Sequence, residues 1–196
     1  MIQLSTHGRA LALVLLAATL AGCQSADKAP EKRNLDAAQI QKERDALLGM
    51  AKTGLDQLYA QDPKARAAVE GAAGYGVFDM SSVNVVLVVG ARGKGVIVDN
   101  ANKKPTFMRA ARAGTGPGVG YQDLYQIFVF KSREAMDQFK LGGKAGADVG
   151  ASVTAGSAAQ QVSFNPNITV YQVSQSGFAV QANWGGTGYF VDPDLN

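Results

Sequence analysis

Apolar residues change their spacing twice along this chain. From Leu35 they fall at Ile40, Leu47, Leu48, Ala51, Leu55, Leu58 and Tyr59, the three-and-four rhythm of one helical face. Asp36 precedes the run and Gln39 follows three residues on, the pattern of a reciprocal N-terminal cap. Asp62-Pro63 predicts a second helix start, since proline lacks an N–H that the first turn would leave unbonded anyway. That alanine-rich helix is expected to stop near Gly71 or Gly74.

Beyond Gly74 the period drops to two. Runs rich in β-branched and aromatic residues at 75–78, 83–89, 95–99, 106–112 and 124–130 predict strands with turns between them. One helix interrupts at 132–141, with Ser132 as cap, Ala135, Met136 and Phe139 on one face, and Gly142 as stop. Strands resume at 147–155, 168–173, 178–184 and 188–191. The expected class is α+β. A strongly curved, barrel-like antiparallel sheet of Gly-rich strands carries an N-terminal helical segment and one short inserted helix.

Glycine stands on every second position of Gly114-Thr-Gly-Pro-Gly-Val-Gly120. A dinucleotide fingerprint starting at Gly114 needs glycine at 119, where Val119 stands; starting at Gly116 it needs glycine at 121, where Tyr121 stands. No helix N-terminus follows to receive a pyrophosphate. Gly93-Lys94-Gly95 and Gly143-Lys144-Ala145 lack the Ser/Thr of a phosphate loop. Neither nucleotide nor nucleic acid is expected. Side chains alternate faces along a strand, so the ladder strips one face bare, which suits a sheet that bends sharply or a backbone that must come close. The segment from Gly146 to Gly156 repeats the device, with Asp148 among its small residues, a carboxylate expected to hold backbone N–H groups. Asp123 reads as a turn residue, and Phe178 and Trp184 share a strand face as core.

The start of the chain is of another kind. His7 and Arg9 precede an apolar stretch over 10–20 that ends in Leu20-Ala21-Gly22-Cys23, the layout of a secretory signal and too short for a spanning helix. The last four residues resemble the bacterial lipobox. The resemblance implies cleavage before Cys23 and acylation of its thiol and new amino group, so Cys23 is the expected lipid anchor. Gln24 in place of aspartate resembles sorting to the outer membrane. The expected organisation is a signal peptide at 1–22, a lipidated polar tether at 23–34, and one domain at 35–196.

Losing the signal also removes chemistry. His7 is the only histidine and Cys23 the only cysteine. The remainder then has no imidazole and no free thiol, which excludes Ser-His-Asp and Cys-His catalysis, zinc sites of His or Cys, and an internal disulfide. No carboxylate pair stands at a spacing that argues for hydrolysis. No metal or cofactor is expected, and the chain reads as a non-enzyme; an enzyme with a Ser, Lys or Asp nucleophile would need a deep pocket holding a group of strongly shifted pKa.

Charge is concentrated. Residues 24–70 carry eight Lys/Arg and eight Asp/Glu, whereas 92–112 carry Arg92, Lys94, Lys103, Lys104, Arg109 and Arg112 against Asp99 alone, a net of +5. Such a window attracts anionic lipid headgroups at roughly 1 kcal/mol per charge near the surface. It reads equally as a solvated face that keeps the domain soluble.

In order along the chain stand Gly71-Ala-Ala-Gly-Tyr-Gly-Val-Phe78, Gly90-Ala-Arg-Gly-Lys-Gly-Val96, the glycine ladder, Gln126-Ile-Phe-Val-Phe130, Gly146-Ala-Asp-Val-Gly150 and Gln175-Ser-Gly-Phe178. This series resembles the SYLF domain, a lipid-binding module of eukaryotic endocytic proteins and bacterial lipoproteins, over roughly residues 36–190. Eukaryotic members bind phosphoinositides through an amphipathic N-terminal segment and basic residues, and some yeast members bind actin. The N-terminal segment does not carry over to a lipidated tether. The resemblance implies a membrane partner, held through the lipid on Cys23, and a preference for anionic phospholipid or another amphiphile. The other reading is a structural envelope protein that contacts peptidoglycan or a protein and ignores lipid.

Overall fold

A computed structural model describes residues 32–142, 148–153, 159–161 and 165–196. The signal peptide, Cys23 and most of the expected tether lie outside the described residues. The elements run α1 (Ala37–Gln61), α2 (Lys64–Glu70), β1 (Gly74–Asp99), β2 (Pro105–Phe130), α3 (Arg133–Gly142), β3 (Asp148–Val153), β4 (Ala159–Gln161) and β5 (Ile168–Val191). Asp36 and Gln39 form the reciprocal cap of α1. The Asp62 carboxylate accepts from the Lys64 N–H at 3.0 Å, and the Ser132 hydroxyl accepts from the Ala135 N–H at 3.2 Å.

The five strands form one antiparallel sheet in the order β1-β2-β5-β3, with β4 also paired to β5. The fold is α+β. Among the described residues the sheet has two ends and is not closed, so the barrel-like expectation is not confirmed. Five expected strands between Gly74 and Phe130 merge into two of 26 residues, and three more merge into β5. What reads as turns within them, such as Ser81-Ser82 and Gly93, continues the ladder: Ser81 pairs with Asp123 and Gly93 with Ala110.

Strands this long must bend to stay compact. A Cβ added at Gly74, Gly93 or Gly95 would lie 2.7, 2.6 and 2.5 Å from the carbonyl oxygens of Val98, Asp79 and Val77. These approaches join 74 to 98, 77 to 95 and 79 to 93, so the two halves of β1 run antiparallel about residue 86. The Asn100 N–H donates to the Ala73 carbonyl at 3.0 Å and closes the far end. At the fold point Val86 has φ of 59°, a left-handed conformation that costs a β-branched residue. The register shifts between Val86 and Val88, which leaves β2 one residue longer where Gly116-Pro117 lies opposite. Gly116 and Gly120 have φ of 156° and 149°.

Two apolar cores follow. Leu47, Leu58, Val77, Val96, Phe107, Ile127 and Val173 join α1, α2 and one face of the sheet. On the other face Phe78, Phe128, Phe130, Phe139 and Tyr189 pack ring against ring around Met136, with centroids 4.9 to 6.4 Å apart. The Tyr189 hydroxyl is matched by the buried Gln126 side-chain oxygen at 2.7 Å.

Candidate lipid-contact surface

The six cations of the basic window occupy one half of the β1–β2 ribbon, but they do not form one patch. Arg109 donates from Nε to Asp192 at 2.6 Å, and its Nη2 donates to Asp192 at 2.8 Å and to Asp194 at 2.5 Å. Those carboxylate side chains are 1% and 2% exposed. Arg33, at the end of the expected tether, completes the cluster through Asp194 at 3.0 Å and Glu43 at 2.9 Å. Burial opposes the charge on Asp194, yet the hydrogen bonds from Arg33 and Arg109 outweigh it and hold the carboxyl below its ordinary range. Glu43 is held low by Arg33 and also pairs with Lys94 at 3.4 Å. Arg109 and Lys94 therefore tie the sheet to the C-terminal turn and to α1.

The other four cations separate by register. Arg112 is half-buried opposite Ala91, and the exposed Arg92, one residue further along β1 opposite Ala111, projects from the other face. Lys103 and Lys104 are exposed in the turn at the other end of the ribbon. Seven steps of strand separate Arg92 from Asp99, about 23 Å at the usual rise. Lys103 has φ of 58°, and the Asn100 side chain binds the turn to α2 through the Val69 and Ala72 carbonyls at 2.8 and 3.0 Å.

At the bend the surface changes character. Val83, Val85, Val86, Leu87, Val88, Val119 and Tyr121 are all exposed, from 49% at Val83 to 69% at Val88. Val85 lies opposite Val119 and Val83 opposite Tyr121, so these four share a face, while Val86, Leu87 and Val88 project around the bulge. The flanking sequence has no charge from 80 to 91 or from 113 to 122. The glycine ladder is the partner of this crest, with Gly120 opposite Asn84, Gly118 opposite Val86 and Gly114 opposite Val89. It is ordered strand paired on both sides, and α3 begins only at Arg133. The sequence reads 83–89 as a strand with no sign of exposure. The signal that marks the crest is the pair of uncharged runs, because a solvated strand face ordinarily alternates with charge.

A polar cluster borders the crest opposite the cations. The Asp123 carboxylate accepts from Tyr121, from Ser81 at 2.7 Å and from Ser176 at 3.1 Å. These bonds, the one from Tyr121 foremost, hold its carboxyl below the usual range and push the Tyr121 phenol up. Asp123 is thus a mid-strand residue rather than a turn residue. Asp148 starts β3 opposite Gly185, and its side chain and those of Phe178 and Trp184 lie outside the described residues. Among the described residues no three His, Cys, Asp or Glu come together to hold a metal, and no helix is long and apolar enough to cross a membrane.

The chain is 31% identical over 153 residues to a protein of Aeromonas veronii called Beta cell expansion factor A, a match covering 78% of this chain and 58% of that protein. The chain therefore spans somewhat more than half the length of this relative. No protein-family profile matches it.

Proposed function

We propose that this protein is a non-catalytic, membrane-anchored lipoprotein of the outer membrane whose SYLF-like domain binds anionic phospholipid. The observation that carries the reading is the apolar crest at the bend, with Arg92 and Arg112 beside it. A half-exposed valine or leucine moved from water into hydrocarbon gains on the order of 1 kcal/mol, and the six of the crest outweigh two headgroup contacts of about 1 kcal/mol each. Insertion is then mainly apolar, and the cations select the anionic surface. Tyr121, apolar in body and polar at its hydroxyl, suits the boundary between the two. Nine residues lie between Cys23 and Arg33, and the ten steps reach at most roughly 35 Å, so an anchored domain stays within that distance of its bilayer.

Co-sedimentation of the unlipidated chain with phosphatidylglycerol vesicles tests the reading. Val85→Asp, Leu87→Asp and Val88→Asp together are expected to abolish binding. Arg92→Glu, the exposed cation nearest the crest, should weaken it and reduce its salt dependence. A wild-type chain that stays in the supernatant refutes lipid binding and favours a structural envelope protein contacting peptidoglycan or a protein partner.

A further inference from the structure

A groove of about 520 Å³ lies between α1 and the turn end of the ribbon, and it shares no residue with the crest. Leu48, Phe107, Val191 and Leu195 form its apolar wall, and Arg44 and Lys104 stand at it. The other lining side chains are uncharged, so among the described residues the side chains of the groove include two cations and no acid. The Arg44 Nε donates to the Leu195 carbonyl at 2.9 Å, and Cζ lies 5.9 Å from the centre of the Phe107 ring. This fixes the guanidinium against the wall with both terminal nitrogens outside that bond. Lys104 is exposed, and its backbone N–H is used by Asn102 at 2.8 Å. Leu48 and Val191 are 41% and 38% exposed, an apolar strip left at the surface directly beside the two charges.

The chemistry that satisfies both halves of this groove is an anionic head on a single alkyl chain. We propose that it binds a single-chain anionic amphiphile, its head held by Arg44 and Lys104 and its chain laid along Leu48, Phe107 and Val191. The volume falls within the range of about 300–1,000 Å³ typical of small-ligand sites. One row of four apolar side chains offers a wall for one chain rather than two. Arg44 supplies a planar pair of donors for a carboxylate or phosphate, and Lys104 supplies a mobile charge at the rim.

Isothermal titration of dodecanoate, below its aggregation concentration, into the full chain carrying Cys23→Ser tests this. Saturable binding at one site is expected. Lys104→Glu, in an exposed turn, and Leu48→Trp, which fills the groove without touching a charge, should each weaken it by about tenfold or more. Unchanged thermal melts of both variants establish that the fold is intact. Dodecyl phosphate in a parallel titration separates a phosphate from a carboxylate head, and uptake of either anion sustains the site. The crest triple variant should bind dodecanoate like its parent while losing vesicles, so this site and the membrane reading fail separately. No saturable uptake of either anion, equal uptake by both variants, or equal uptake of dodecyltrimethylammonium overturns the proposal.

Discussion

Replacing Arg109 by methionine keeps most of the side chain's bulk and removes the charge that faces Asp192 and Asp194. A buried carboxylate left short of a partner is costly, and the variant should lose roughly 3 kcal/mol in urea denaturation. Arg92→Met, at an exposed position of the same window, should change stability by less than about 0.5 kcal/mol. The pair separates a structural cation from a surface one, a division that six like charges in one window do not reveal, because it depends on Asp192 and Asp194 arriving more than 80 residues later in the chain. Val86 makes a second contrast. At φ of 59°, Val86→Gly should be neutral or stabilise by about 1 kcal/mol, whereas Val88→Gly should destabilise by about 0.5–1 kcal/mol, both read from urea midpoints.

At the scale of elements, the glycines of β1 divide by what a methyl group would meet. Gly95→Ala places a Cβ against the Val77 carbonyl, where neither backbone can yield without opening the fold of the strand, and should cost about 2–3 kcal/mol. Gly90→Ala meets nothing within 4 Å and should be neutral or mildly stabilising. Melting curves of the two variants side by side check this. The helices and their caps were legible because capping is local, decided within four residues at Asp36–Gln39 and Ser132–Ala135. The strands were legible as strands but not as two long ribbons. Glycine and serine in sequence signal a turn, and only the neighbouring strand shows that the ladder runs on through them.

Across the whole molecule, ionised carboxylates hold the ends together. Asp194 and Glu43 grip Arg33, Asp99 accepts from Ala101 and Arg133, and Asp123 joins three strands. All four are held below their ordinary range, so the folded protein binds fewer protons in acid than the unfolded chain. Their contribution is complete above the unfolded carboxylate pKa of about 4 and is lost as pH falls through the lower folded values. Urea midpoints should be flat from pH 7 to 5 and fall steeply below 4. Arg33→Gln, which removes the partner of two of the four, should lower the plateau and shallow the fall.

The sequence alone determined the helices, their caps, the α+β class and the absence of a phosphate loop in the glycine ladder, since each rests on spacing or side-chain chemistry within a few residues. Tertiary structure decided the rest. The fold of β1 about Val86 turned a valine run into a surface crest, and the return of the chain at Asp192 and Asp194 converted Arg109 from a surface charge into a buried tie. Both depend on contacts between residues far apart in the chain, where hydropathy says that a side chain prefers burial but not whether any neighbour arrives to bury it.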